Sequence, residues 1–303
     1  MKFEFNNVEM FVNDTLAMQL DSLVYNLKND WDFMIIITGD RTVRVGKSVL
    51  GMTVSAYLGY RLQQLKMNLN PYTLDDVYFN SEEMIKKAIK KPKFSINHYD
   101  EGRESLAAVK AMKNMQIDLI DFFTECGQLN QIFVIVLPDF FTLKEDIAVP
   151  RSEFLINVYR TEEKKMIDLY NDGVKRPIVK LKRGRFEFFN RATKKNLYDK
   201  AKVTHRKNYG LIKANFLGTF SSQYPFPKED YEKKKRKALE RVKKEGKRVM
   251  PLMAERVLRI ARKHVDKKDW EKWAEEESLE KSYVRSAFRE YLKGKMPGYR
   301  GNP

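Results

Sequence analysis

A single cysteine, Cys126, is the whole thiol content of the 303 residues. No disulfide can form within the chain, and a reducing compartment fits. Histidine is almost as scarce: His98, His205 and His264 are scattered, and with one thiol they suggest no zinc site. Long apolar runs are also missing. The most apolar stretches, around Phe33–Ile37 and Ile132–Leu137, fall far short of the roughly 20 residues that span a bilayer. The first residues, Met1-Lys2-Phe3-Glu4-Phe5, have neither the basic start nor the apolar core of a secretion signal. These absences predict a soluble, cytoplasmic protein without membrane contact.

What is present predicts a globular protein. Hydrophobic residues make up 43% and aromatics 12%, enough for one large core or a core with a smaller satellite domain. The net charge of +17 is unevenly placed. Residues 1–150 hold 16 Lys and Arg against 20 Asp and Glu; of the totals of 58 and 41, the remaining 42 against 21 fall in 151–303. The first half is therefore net −4 and the second net +21. A surplus confined to one half points to an anionic polymer, nucleic acid being the commonest, or to a lysine-rich solvated surface.

The first half alternates strands and helices. Phe33-Met34-Ile35-Ile36-Ile37-Thr38 reads as a strand buried on both faces, ending at Gly39. A helix follows from about Lys47, with Val49, Leu50, Val54, Tyr57 and Leu58 at helical spacing. Val77-Tyr78-Phe79 reads as a short strand. A helix then opens at Asn80/Ser81 with Glu82 and Glu83 in its first turn. Phe94–Tyr99, Gln131–Leu137 and Phe154–Tyr159 are further strands, and a long helix is expected from Glu104 to about Cys126. This alternation predicts an α/β fold: a mostly parallel sheet with helices on both faces and ligands at the strands' carboxyl ends.

Polar residues gather at those ends. Gly39-Asp40-Arg41-Thr42-Val43-Arg44-Val45-Gly46-Lys47-Ser48 follows the first buried strand, and Gly46-Lys47-Ser48 matches the end of a Walker A phosphate loop. In such a loop, backbone N–H groups and a helix N-terminus cradle phosphates, Lys47 neutralises their charge and Ser48 coordinates Mg²⁺. The spacing departs from the standard motif: six residues, not four, separate Gly39 from Gly46. Asp100-Glu101 ends the Phe94–Tyr99 strand, where Asp100 can hold the Mg²⁺ shell and Glu101 can polarise water. The pair could equally open the next helix, since acids favour N-terminal turns. Asp139, after Leu137-Pro138, is a candidate sensor of the terminal phosphate. Arg151 is a candidate arginine finger reaching a neighbouring subunit's ATP, or a surface residue after Pro150.

Gly46-Lys47-Ser48, Tyr99-Asp100-Glu101-Gly102-Arg103, the long helix, Phe133–Pro138 and Arg151–Tyr159 occur in one order over roughly residues 30–160. Together they resemble the FtsK/HerA-type P-loop ATPases, in particular the zonular-occludens-toxin-like branch of phages and mobile elements. The resemblance implies a RecA-like core of the additional-strand, catalytic-glutamate class. It also implies ATP and Mg²⁺ as cofactors and a homo-oligomeric ring, often a hexamer, that moves DNA. Lys47, Ser48, Asp100 and Glu101 match motif positions, and Arg151 matches more loosely. The stretched phosphate loop departs from the family pattern, as does the missing membrane segment.

In the basic half, Ile178–Phe189 reads as two strands turning at Arg183-Gly184. Lys180, Lys182, Arg183 and Arg185 crowd this hairpin as candidate phosphate contacts, or as edge-strand protection, with Phe186, Phe188 and Phe189 mostly core. Glu229–Arg248 reads as a charged, solvated helical connector. Beyond Pro251, three short helices form a helix-turn-helix-like module, with Arg285 and Arg289 on the polar side of the last. A generic packing bundle is the alternative. The predicted organisation is an ATPase core at 1–160, a basic hairpin extension completing it at 161–228, the connector at 229–250 and the small helical module at 251–303. The function expected is an ATP-driven DNA motor. A helicase-loader or transposition-helper switch, and a DNA-binding regulator that has lost hydrolysis, are the alternatives.

Overall fold

Phe33–Gly39 forms the central strand, and all seven of its residues are buried. In the computed structural model, which describes residues 1–39, 45–100, 122, 129–238 and 240, this strand organises one mixed sheet. The chain divides into two compact units, Met1–Lys235 and Arg236–Pro303. The sheet belongs to the first.

That unit opens with a hairpin, β1 (Lys2–Phe5) and β2 (Val8–Phe11), paired antiparallel. The turn is Asn6-Asn7, both at positive φ (51° and 60°). Asparagine tolerates that conformation, and its twist suits a two-residue hairpin. Helix α1 (Asp14–Asn26) follows, capped by the Asn13 side chain, which accepts from the Leu16 N–H at 3.2 Å. The sheet strands are β3 (Phe33–Gly39), β4 (Val77–Tyr78), β5 (Ile96–Asp100), β6 (Ile132–Val136), β7 (Ser152–Ile167), β8 (Arg176–Phe189) and β9 (Phe216–Thr219), in the order β4-β5-β6-β3-β7-β8-β9. The first five run parallel and the last two antiparallel. The α/β expectation is met at this level: a seven-stranded, mostly parallel sheet with helices.

Both faces are covered, which explains the nearly continuous apolar strands. Helix α2 (Lys47–Gln64) and α1 pack with Ile35, Ile37, Val134, Ile156, Phe186 and Phe188 in one core. Helices α3 (Ser81–Ala88) and α4 (Arg191–Thr204) pack with Ile36, Phe133, Ile135, Leu155 and Phe189 in the other. The three phenylalanines of β8 are thus all core, split between the two faces as strand alternation requires. Asn80 and Asn190 cap α3 and α4 through their side chains.

The expected hairpin turn at Arg183-Gly184 is not there. β8 runs unbroken from Arg176 to Phe189, and its register with β7 shifts between Tyr159 and Thr161, opposite Gly184's neighbours. Gly184 (φ +86°) lies at this bulge, and a Cβ on it would come within 2.7 Å of the Phe220 carbonyl oxygen. The glycine serves a β-bulge and a close backbone approach, two uses that a turn signal cannot be told from in a sequence. The real turn lies at residues 168–175, where Asp168 accepts from the N–H groups of Tyr170, Asp172 and Gly173. Beyond their pairings with β3 and β9, the far ends of β7 (161–167) and β8 (176–182) therefore continue as a two-stranded arm.

Candidate functional site: the carboxyl ends of β3 and β5

Strand β3 ends at Gly39, and α2 begins after Gly46, which adopts φ +104° as its N-cap. Helices α1, α3 and α4 each have an asparagine cap, but Gly46 has no side chain with which to accept. The first N–H groups of α2 meet no oxygen from their cap residue's side chain, the state in which a helix start suits an anion. Lys47 folds back over the end of β3, for a Cβ on Gly39 would lie 3.2 Å from its Cδ. Gly39, Gly46, Lys47 and Ser48 are thus brought together. Asp40–Arg44, between them, lie outside the described residues.

Asp100 ends β5, two strands from β3 because β6 lies between. Pairing aligns Asp100 with Val136, and Val136 with Ile37, so the strands end level. The Ser48 hydroxyl donates to Asp100 Oδ1 at 3.1 Å, which joins the two motifs across 52 positions of sequence. Glu101 is outside the described residues.

Asp100 is only 1% exposed. Burial alone would raise its pKa, but Lys235, His98 and hydrogen bonds from Tyr231 and Ser48 outweigh that and hold it below the ordinary value. Two of these groups come from a region that sequence reading treats as a solvated connector. Residues 228–238 are helical, yet Tyr231 is 4% exposed and donates its O–H to Asp100 Oδ2. Lys235 Nζ lies 3.4 Å from the same oxygen and 3.0 Å from the Tyr231 hydroxyl. Lys234 donates to the Leu74 carbonyl at 2.6 Å. The start of the connector is therefore docked on the sheet. The legible signal was Tyr231 itself, an aromatic among charges, preceded by Tyr224 and Phe226.

The polar residues inside β5 are paired behind the site. His98 Nδ1 shares a hydrogen with the Tyr72 hydroxyl at 2.8 Å, and burial lowers its pKa to about 4, which keeps it neutral. Asn97 donates to Gln131 at 2.9 Å and accepts from Lys91, which also pairs with Asp76 at 2.6 Å. At the end of β3, the Tyr209 hydroxyl meets Thr38 Oγ1 at 3.0 Å and accepts from the Phe140 N–H at 3.2 Å. Asp139, the candidate sensor, caps the turn at 140–142 by accepting from the Phe141 N–H at 3.1 Å.

Arg151 is not brought to this crevice. It is exposed, in a π-helical turn (Ile147–Arg151) just before β7, whose first residue pairs with Met34 at the start of β3. That is the opposite end of the sheet. Lys180, Lys182, Arg183 and Arg185 are exposed along β8, with Lys182 paired to Glu163 at 2.9 Å. Arg285 and Arg289 lie outside the described residues, as does the expected helical module. Among the described residues, no helix is long and apolar enough to cross a membrane.

No family model, curated protein or solved structure matches the chain. The chemistry therefore rests on the site's own groups. One carboxylate and one hydroxyl are too few to hold a metal alone. They do suit Mg²⁺, which prefers oxygen ligands and completes its shell with waters and a nucleotide's phosphates. The glycine-capped helix start and Lys47 suit those phosphates, so the residues present fit Mg²⁺ and a nucleoside triphosphate.

Proposed function

We propose that this chain is a P-loop ATPase of the additional-strand class, working on DNA as part of a homo-oligomeric ring. The observation that carries the reading is the 3.1 Å contact between Ser48, in the first turn of α2, and the buried Asp100 at the end of β5. Support comes from the strand order, with one strand, β6, between the phosphate-loop strand and the carboxylate strand. Lys47 and the α2 N–H groups would bind phosphate oxygens, and Ser48 and Asp100 would bind the metal. Bound there, Mg·ATP supplies a terminal phosphoryl group open to attack by water. The surrounding groups keep Asp100 ionised for that task. Glu101, next in the chain, would orient the water and accept its proton. Arg151, at the far end of the sheet, would serve only a neighbouring subunit's site. DNA is the proposed partner on the strength of the +21 second half and the exposed cations of β8.

The test is ATP binding and turnover by the full chain, with and without duplex and single-stranded DNA. Glu101→Gln should retain binding and lose about 10²-fold or more in turnover, and Lys47→Ala should impair both. Near wild-type hydrolysis by Glu101→Gln would remove that residue from the mechanism. DNA-stimulated turnover with triplex displacement indicates a motor, and turnover without displacement a helper switch. The stretched phosphate loop favours one further reading, a DNA-binding regulator, which would bind nucleotide without hydrolysing it.

A further inference from the structure

The Asp100 carboxylate already has a cation. Oδ1 accepts from Ser48; Oδ2 accepts from Tyr231 and faces the Lys235 ammonium at 3.4 Å. The ammonium is steered there, since it also donates to the Tyr231 hydroxyl and lies over the rings of Tyr231 and Phe79 at 5.5 Å and 5.8 Å. Tyr231 is fixed in turn by packing on Phe79 and Tyr224. At 28% side-chain exposure, Lys235 can retreat to water without unfolding anything, whereas Asp100 cannot.

We infer that Lys235, positioned by Tyr231, is a built-in counter-ion that occupies the metal-binding carboxylate and is displaced when Mg²⁺ and nucleotide load. This rests on the Mg·ATP reading of the crevice. A divalent ion taking the oxygens that Ser48 and Tyr231 now satisfy would stand within a few ångströms of the ammonium. At that distance two cations repel strongly in a site of low dielectric, so the two occupants exclude each other. Loading then frees residues 228–235 from Asp100, and the occupancy of the crevice sets whether this segment is held. The device makes nucleotide binding weaker than the bare site allows, and couples it to a change in the chain just before the basic C-terminal unit.

The experiment compares the full-length wild type with Lys235→Met, Lys235→Arg and Tyr231→Phe. Mn²⁺ binding is followed by electron paramagnetic resonance without nucleotide, and Mg·ATP binding by titration with a fluorescent analogue. Removing the charge should tighten both by about tenfold, the size expected for loss of one nearby like charge. Lys235→Arg should stay near wild type, and Tyr231→Phe should fall between. Hydrogen exchange in residues 228–235 should quicken when wild type is saturated with Mg·ATP. Weaker binding by Lys235→Met would make the lysine a phosphate ligand, and unchanged binding would make it a structural ion pair; either overturns the counter-ion. A wild type that binds Mn²⁺ more weakly than Lys235→Met, yet binds no nucleotide, would keep the counter-ion and end the ATPase reading. Absence of Mn²⁺ and nucleotide binding from every variant would end both.

Discussion

The crevice at the carboxyl ends of β3 and β5 and the arm formed by β7 and β8 are both rich in charge, and they handle it in opposite ways. In the crevice, one carboxylate at 1% exposure is answered by particular groups at particular distances, drawn from α2 and the 228–238 helix. Along the arm and at its base, Lys182 is 48% exposed and pairs with an accessible Glu163, while Lys180, Arg183 and Arg185 face solvent. Water screens the arm's charges, so they are interchangeable and suit a repeating polyanion. Burial leaves the crevice no such latitude. The buried carboxylate there must be met, and only a ligand of matching charge and geometry can replace its present partners.

Stability should separate the two regions most sharply. Asp100→Ala leaves the Ser48 and Tyr231 hydroxyls without their acceptor, while Lys235 can turn to water, and should cost about 3 kcal/mol. Lys182→Ala should leave the denaturation midpoint unmoved, because exposed pairs contribute little. Urea titrations of both variants check this, and equal losses would dissolve the distinction between the regions.

A buried cation away from the crevice refines the comparison. Lys194 of α4 is 0% exposed and donates to the carbonyls of Val149 and Ser152 and to the Ser152 hydroxyl, holding the turn before β7. Burial pushes its pKa from 10.5 down to about 7, with Glu153 opposing and Arg191 assisting. The unfolded chain therefore binds a proton that the native chain lacks between about pH 7 and 10, and stability should rise with pH across that window. The penalty is full below pH 7. Relative to Lys194→Met, the wild type should gain about 3 kcal/mol between pH 7 and 9.5, read from denaturation midpoints. A flat difference would mean that the three oxygens hold the ammonium charged despite burial.

The smallest effect belongs to the arm. Reversing Lys180, Arg183 and Arg185 to Glu should weaken duplex binding by about tenfold, roughly 1.4 kcal/mol, for all sequences alike. It should also flatten the salt dependence by about 0.9 in log–log slope for each phosphate no longer neutralised. Lys182→Glu alone should do less, since Glu163 already answers that charge. Fluorescence anisotropy across a salt series measures both, and unchanged affinity after the triple reversal would return these cations to edge-strand protection.

Much of this was legible locally. The apolar run of β3, the Gly46-Lys47-Ser48 junction, the Asn80 cap and the buried phenylalanines of β8 all follow from period, capping and burial, which act over a few residues. The Arg183-Gly184 turn misled for the same reason: a positive-φ glycine is a local signal with several global uses. The N-terminal hairpin, α1 and α4 leave only weak local signals, because their patterns are short or masked by polar residues. The placement of Arg151 away from the crevice depended on parallel register, which no single segment contains.

Sequence by itself determined the alternation of strands and helices, the Gly46-Lys47-Ser48 junction after a buried strand and the unequal charge of the two halves, because each is a property of neighbouring residues or of composition. Only the tertiary structure decided which charges meet. Ser48 reaches Asp100 across 52 positions, Tyr231 across 131 and Lys235 across 135. Contacts at such separations are selected by how the whole sheet closes its two cores, so the cation at the Asp100 carboxylate could be seen only once the chain was folded.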